Sequence, residues 1–315
     1  MFRRYFSAFL LIFSASLYGL PVIDTWDRPL PVSPTLRPWR FRVEAALGII
    51  RKAYPEDVIG ITYDRGKNDW RLDIRTETGT GSLYWAGGKL LPGTELPGVR
   101  SYSPFFYYYP SQSPDPAEFS PETIELLARE SAVAMEGSAS VMCGAFFELI
   151  YDGADMRSIE QHIRRIDFLG VRISVHRKII SPLRRVEQRI YDLAETDSAV
   201  RDFIRSVQRA DGYNWRDVRS SSGRSFHSWG LAVDFVSDSW NRYYIYWKWI
   251  RESGSDRWML IPPEQRWNPP DAVISAFESE GFIWGGKWEL WDNMHFEYRP
   301  EILLFREMAL KQAAE

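Results

Sequence analysis

Among 315 residues there are only four histidines, and two of them stand in short segments dense in small and acidic residues. The first segment is Ser225-Phe226-His227-Ser228-Trp229-Gly230-Leu231-Ala232-Val233-Asp234, and the second is Asp292-Asn293-Met294-His295-Phe296-Glu297. Two imidazoles and one carboxylate, from His227, Asp234 and His295, can supply three ligands to Zn²⁺ and leave a fourth position for water. A hydrolytic zinc site also needs a base, and Asp292, three residues before His295, is placed to reach the same water. If the segments form one site, the fold must bring them together across everything between residues 235 and 291. Taken singly, either histidine reads as an ordinary core or surface residue, and Leu231 to Phe235 reads as a plain strand. Their joint occurrence groups them.

The pattern S-x-H-x-x-G-x-A-x-D followed by D-x-x-H-F-E resembles the zinc D,D-carboxypeptidase and L-alanyl-D-glutamate endopeptidase family, which includes VanX- and VanY-type peptidases and phage endolysins. The matching positions are Ser225, His227, Gly230, Ala232, Asp234, Asp292 and His295, within roughly residues 160 to 300. Trp284-Gly285-Gly286-Lys287-Trp288 is similar to the W-G-G-x-W of the endopeptidase branch. The resemblance implies Zn²⁺ as cofactor and, as substrate, a peptidoglycan stem peptide containing a D-amino acid. It also implies a strand near Gly212 to Arg216 with an Arg facing the metal. There a fixed guanidinium would stabilise developing negative charge or hold a substrate carboxylate. Arg216 is the expected residue, with Arg219 and Arg224 as competitors. Ser225 and Trp288 are expected to support a ligand or the substrate. Asp at the base position and the Trp-Gly-Gly segment favour the endopeptidase branch, with D,D-carboxypeptidase as the alternative. A non-catalytic wall-binding protein is the alternative of another class, and Asp292 argues against it, since a binder needs no base.

Residues 1–19 carry Arg3 and Arg4 before a charge-free apolar run and read as a secretory signal peptide, so the expected location is the periplasm or cell envelope. The run is short for a membrane span, so a membrane is a partner only if the segment stays uncleaved. The single cysteine, Cys143, cannot form an internal disulfide and reads as a small buried hydrophobe. A net charge of −3 supplies no field for nucleic acid. Residues 20–38 form a Pro-rich connector. Residues 39–118 read as an accessory α+β module: a helix from Arg40 to Tyr54, then strands Val58 to Tyr63, Asp69 to Arg75 and Gly81 to Leu91. Phe105 to Tyr109 reads as a loop pinned to the core by its rings.

Residues 119–315 are then the peptidase domain. Ser120-Pro121 offers a helix start. Helical spacing continues over Met156 to Phe168 and Leu183 to Leu193, and Asp197 caps a further helix. His162 and His176 fall outside the motif and read as structural or exposed. Gly230 to Val236 forms a strand with Ala232 and Asp234 on one face and Leu231, Val233 and Phe235 on the other. The Trp- and Tyr-rich insertion 239–270 reads either as a lid over the substrate or as a buried helix from Tyr243 to Ile250. Asp271 to Glu280 is a helix stopped by Gly281, and a last strand carries His295 and ends at Pro300. The expected fold class is α+β: helices packed on a small, largely antiparallel sheet that presents the metal ligands.

Overall fold

The computed structural model describes residues 43–137, 141–216 and 223–314. The expected leader, the Pro-rich connector and Arg219 lie outside these residues. The first helix, α1 (Val43–Ala53), buries Val43, Ala46, Leu47 and Ile50, which recur at helical spacing. It leads into an antiparallel sheet of β1 (Val58–Asp64), β2 (Asp69–Thr76) and β3 (Gly79–Tyr84). The third strand is shorter than the expected Gly81 to Leu91. Positive φ values at Ala86, Gly87, Gly88 and Leu90 turn the chain back, and Leu91 pairs with Tyr84.

A short strand β4 (Tyr102–Ser103) is followed by α2 (Pro121–Met135), whose Ser120 hydroxyl accepts from the Thr123 N–H at 3.2 Å. Next come β5 (Val141–Met142), which pairs with β4, then α3 (Ala145–Ile150) and α4 (Met156–Glu160). The helix expected as far as Phe168 stops at Glu160. Ile163 and Ile166 instead lie on β6 (Ile163–Phe168), paired antiparallel with β7 (Val171–His176). Leu169 and Gly170, both at positive φ, make the two-residue hairpin turn. An apolar spacing of three suits a helix, but the β-branched residues and this turn favour the hairpin.

Then follow α5 (Ile180–Ala194) and α6 (Ser198–Ser206), with Asp197 accepting from Ala199 N–H at 2.8 Å, and β8 (Val207–Asp211). After these come β9 (Ala232–Ser237), α7 (Trp247–Glu252), α8 (Asp271–Ser279), β10 (Phe282–Trp284), β11 (His295–Tyr298) and α9 (Pro300–Ala314). Pro300 does more than end a strand, since it opens α9, where its fixed φ suits a first helical turn. The central sheet runs β10-β11-β9-β8, antiparallel throughout. The protein is therefore α+β.

One hydrophobic core joins α1 and the first sheet to α3, α5, α8, α9 and the central sheet. Phe105 and Tyr109 are fully buried in it, as the pinned-loop reading expects. A second cluster holds Leu127 and Ala134 of α2 against Trp247, Trp258, Met259 and Trp291. The aromatic insertion thus shares a small second core with α2 and Trp291, and its helix begins at Trp247 rather than at Tyr243.

Candidate metal centre

His227 sits on a 3₁₀ turn, Phe226–Trp229. Ser225 caps it, its hydroxyl accepting from the His227 N–H at 3.4 Å, so Ser225 supports the backbone of a metal-ligand candidate. Trp229 pins the turn from below, 1% exposed and packed on Phe147 and Phe226 with ring centroids 5.3 Å away in each case. Burial of that ring stabilises the turn by about 2–3 kcal/mol. Gly230 closes the turn at φ 66°, and a Cβ there would lie 2.7 Å from the His176 nitrogen. Only glycine takes that backbone freely and fits that gap.

Across the central sheet His295 of β11 is paired in register with Asp234 of β9. His295 Nδ1 lies 2.8 Å from Asp234 Oδ1, and His227 Nε2 lies 3.1 Å from the same oxygen. The remaining nitrogens are taken. His227 Nδ1 is 2.6 Å from the Gly212 carbonyl, and His295 Nε2 is 3.1 Å from Glu297 Oε2. A carbonyl can only accept, so His227 carries its proton on Nδ1 and turns Nε2 inward. With Glu297 holding the other edge of His295, its Nδ1 turns inward likewise. Ligand atoms of His227, Asp234 and His295 all lie within 4.8 Å of one another, and all three residues are buried.

Without a cation, this cluster balances its own charge. Burial works to raise the Asp234 carboxyl, but the His227 and His295 imidazoles outweigh it and hold it well below the usual carboxylate range. Burial likewise works to lower His295, yet its hydrogen bonds to Asp234 and Glu297 prevail and raise it well above the usual imidazole range. His295 then carries the positive charge that a metal would otherwise supply. A donor set of two nitrogens and one carboxylate oxygen, with ring orientation fixed from outside, fits Zn²⁺.

Asp292 stands at the edge of this group. Its N–H donates to the Gly285 carbonyl at 3.0 Å, and a Cβ on Gly285 would come within 2.5 Å of the Asp292 carbonyl. The Trp-Gly-Gly segment is thus the surface on which the Asp292 turn rests. Its Oδ1 is buried with no hydrogen-bond partner in the structure. Burial first, and then the Asp234 charge, push its carboxyl up to about 7. A part-buried carboxylate with one oxygen free of hydrogen bonds at the edge of this group is placed to take and return a proton.

Arg216 is drawn to the centre, with its guanidinium 3.9 Å from Asp234 Oδ2. Ser228 fastens it there, its hydroxyl accepting from the Arg216 N–H at 2.8 Å and donating to the Arg216 carbonyl at 2.6 Å. Arg224 is placed elsewhere, over the Trp215 ring at 4.1 Å and near Glu148 at 3.6 Å. Trp288 flanks the centre, its ring 5.4 Å from that of His295. Glu297, Ser228 and the Gly212 carbonyl are the contributors sequence reasoning missed. Glu297 had a signal, since residues two apart on a strand share a face. A backbone carbonyl has none.

The other two histidines are structural. His162 and His176 are 6% and 1% exposed, with ring centroids 5.5 Å apart. His162, Glu77 and Asp152 form a second compact group, but Arg177 already pairs with Glu77 there. Cys143 is buried, and burial raises its thiol, consistent with an inert residue.

Residues 219–298 match a family model described as D-alanyl-D-alanine carboxypeptidase, and residues 46–107 match a domain of unknown function. The first match takes in His227, Asp234, Asp292 and His295, and it supports a metallopeptidase of the M15 peptidase family. No curated protein and no solved structure matches the chain.

Proposed function

We propose that this protein is a zinc-dependent peptidase acting on peptidoglycan stem peptides that contain D-amino acids. The reading rests on one observation above all. Two imidazole nitrogens and a carboxylate oxygen converge within 4.8 Å beside a carboxylate oxygen that has no partner, inside the segment similar to D-alanyl-D-alanine carboxypeptidases. Zinc held by His227, Asp234 and His295 would supply Lewis acidity to the scissile carbonyl and acidify a water. Asp292 takes a proton from the attacking water and returns it to the leaving amine. Arg216 faces the oxygen on which negative charge develops, or holds a substrate carboxylate. The Gly212 carbonyl and Glu297 keep the two imidazoles turned inward throughout. The N-terminal segment, in this reading, directs the chain to the compartment where the wall polymer lies.

Two bonds compete as the site of cleavage. The description of the matched family favours release of a terminal D-Ala. The Trp284 to Trp288 segment, on which Asp292 rests, favours a cut between L-Ala and D-Glu. Incubation of the protein with purified muropeptides, followed by mass spectrometry, distinguishes them. Chelator should abolish either product and zinc should restore it. Absence of any product across stem-peptide lengths and metals would overturn the peptidase reading.

A further inference from the structure

Behind His295 a line of buried charges leads away from the metal centre. Glu297 Oε2 faces His295 Nε2 at 3.1 Å, and its other oxygen lies 3.4 Å from the Arg299 guanidinium. Arg299 Nε pairs with Glu301, and the second oxygen of Glu301 accepts from the Tyr54 hydroxyl at 2.6 Å. All four residues are nearly sealed from solvent: Tyr54 is 4% exposed, Glu297 5%, Arg299 2% and Glu301 0%. An unpaired charge at any of these places would be costly, so each group depends on the next.

Arg299 is held from a second direction. Its Nη2 donates to the Phe105 carbonyl at 3.4 Å, and its guanidinium lies 5.8 Å from the Phe105 ring and 5.5 Å from the Tyr107 ring. The rings of Phe226 and Phe147 lie 4.9 and 5.2 Å away. Planar stacking and directional hydrogen bonds fix a guanidinium more tightly than a point charge could.

The origin of these residues is informative. Tyr54, Phe105 and Tyr107 all belong to residues 46–107, the segment that matches a domain of unknown function. Arg299 and Glu301 lie just past residue 298, where the peptidase-like match ends. We propose that the 46–107 segment serves the metal centre: Tyr54, Phe105 and Tyr107 fix Arg299 and Glu301, and these positioning residues, through Glu297, set the tautomer and orientation of His295. The inference rests on the reading of His227, Asp234 and His295 as metal ligands.

The test uses the full chain and zinc alone as probe. Zinc affinity is measured by competition with a chromophoric chelator for wild type, Tyr54→Phe, Arg299→Met and Arg299→Lys. Histidine ¹⁵N NMR shifts of the same proteins loaded with zinc report which nitrogen of His295 keeps its proton. Removing a partner that touches a ligand costs about 10- to 100-fold in metal affinity, so Arg299→Met, which acts one contact further out through Glu297, should lose about 10-fold. Arg299→Lys should recover part of it, and Tyr54→Phe should lose a few-fold, about 3 to 10. The ¹⁵N shifts of His295 should move in step. Should Arg299→Met fail to fold, Tyr54→Phe decides alone, since it leaves the Arg299 to Glu301 pair intact. Folded variants with lowered melting temperature but wild-type zinc affinity and ¹⁵N shifts would overturn the proposal. Wild type that binds no zinc would instead overturn the metal-centre reading beneath it.

Discussion

Zinc entering the metal-free protein should expel protons, and their number should change with pH in a way that identifies Asp292. His295 holds a proton in the metal-free state, because Asp234 and Glu297 raise it well above the usual imidazole range. A metal can take Nδ1 only if that proton leaves, so this group makes zinc binding tighten as pH rises. Asp292, pushed up to about 7, adds a second proton wherever it is still protonated. With a pKa of about 7 it is roughly nine-tenths protonated at pH 6 and one-tenth at pH 8. A nearby divalent charge strips that proton. The slope of log affinity against pH should therefore exceed that of Asp292→Asn by about 0.9 at pH 6, 0.5 at pH 7 and 0.1 at pH 8. Summed from pH 6 to 8, affinity should rise about tenfold more in wild type than in Asp292→Asn, or about 1.4 kcal/mol. Chelator competition at the three pH values measures this directly. Zinc calorimetry in buffers of different ionisation heat counts the protons independently. Contributions common to both proteins cancel in the comparison, so parallel lines for wild type and Asp292→Asn would refute the assignment of a raised carboxyl to Asp292.

In chelator, thermal stability should fall as the solution is made alkaline. His295 and Asp292 have folded-state values above their unfolded ones, so the stability they lend is complete at low pH and is lost as pH rises through the folded values. Asp234, held low, works in the opposite sense and loses its contribution only in acid. The melting temperature of the metal-free protein should peak between about pH 4 and 6, and a peak above pH 8 would contradict this. Asp292→Asn should lower kcat about 10²- to 10⁴-fold with zinc stoichiometry intact, and loss of zinc in that variant would remove Asp292 from the base role. Arg216→Met should lower kcat about 10²- to 10³-fold without weakening zinc binding, whereas Arg224→Met should leave kcat unchanged. Gly230→Ala should destabilise the fold by at least about 1–2 kcal/mol through its left-handed backbone alone, visible as a drop in melting temperature; an unchanged melt would show that the turn can relax.

The candidate ligands were legible chiefly because their spacing resembles the motifs of a known zinc peptidase family. His227, Asp234, His295 and Asp292 could be named from the sequence, and the structure brings them together. Arg216 was the expected residue with Arg219 and Arg224 as competitors, and of these only Arg216 and Arg224 fall among the described residues. What places Arg216 at Asp234 is a pair of hydrogen bonds from Ser228, a tertiary contact with no sequence signature. The β6 hairpin was missed because Ile159, Ile163 and Ile166 keep a helical spacing, and the deciding evidence lay in the turn at Leu169-Gly170. Arg299 was passed over for another reason. An arginine after a strand reads as surface, and its burial follows only when Phe105, Tyr107 and Glu301 come from distant parts of the chain.

The bond between Tyr54 and Glu301 joins residues 247 positions apart. Contacts of such span close late, because the intervening chain must first surrender its freedom. His295 lies 61 positions past Asp234, so in a chain made from its N-terminus the proposed ligand set is complete only once β11 has followed β9. On that proposal, three-ligand metal binding must wait for the last strand, and a chain interrupted before residue 295 would lack one of the three proposed ligands.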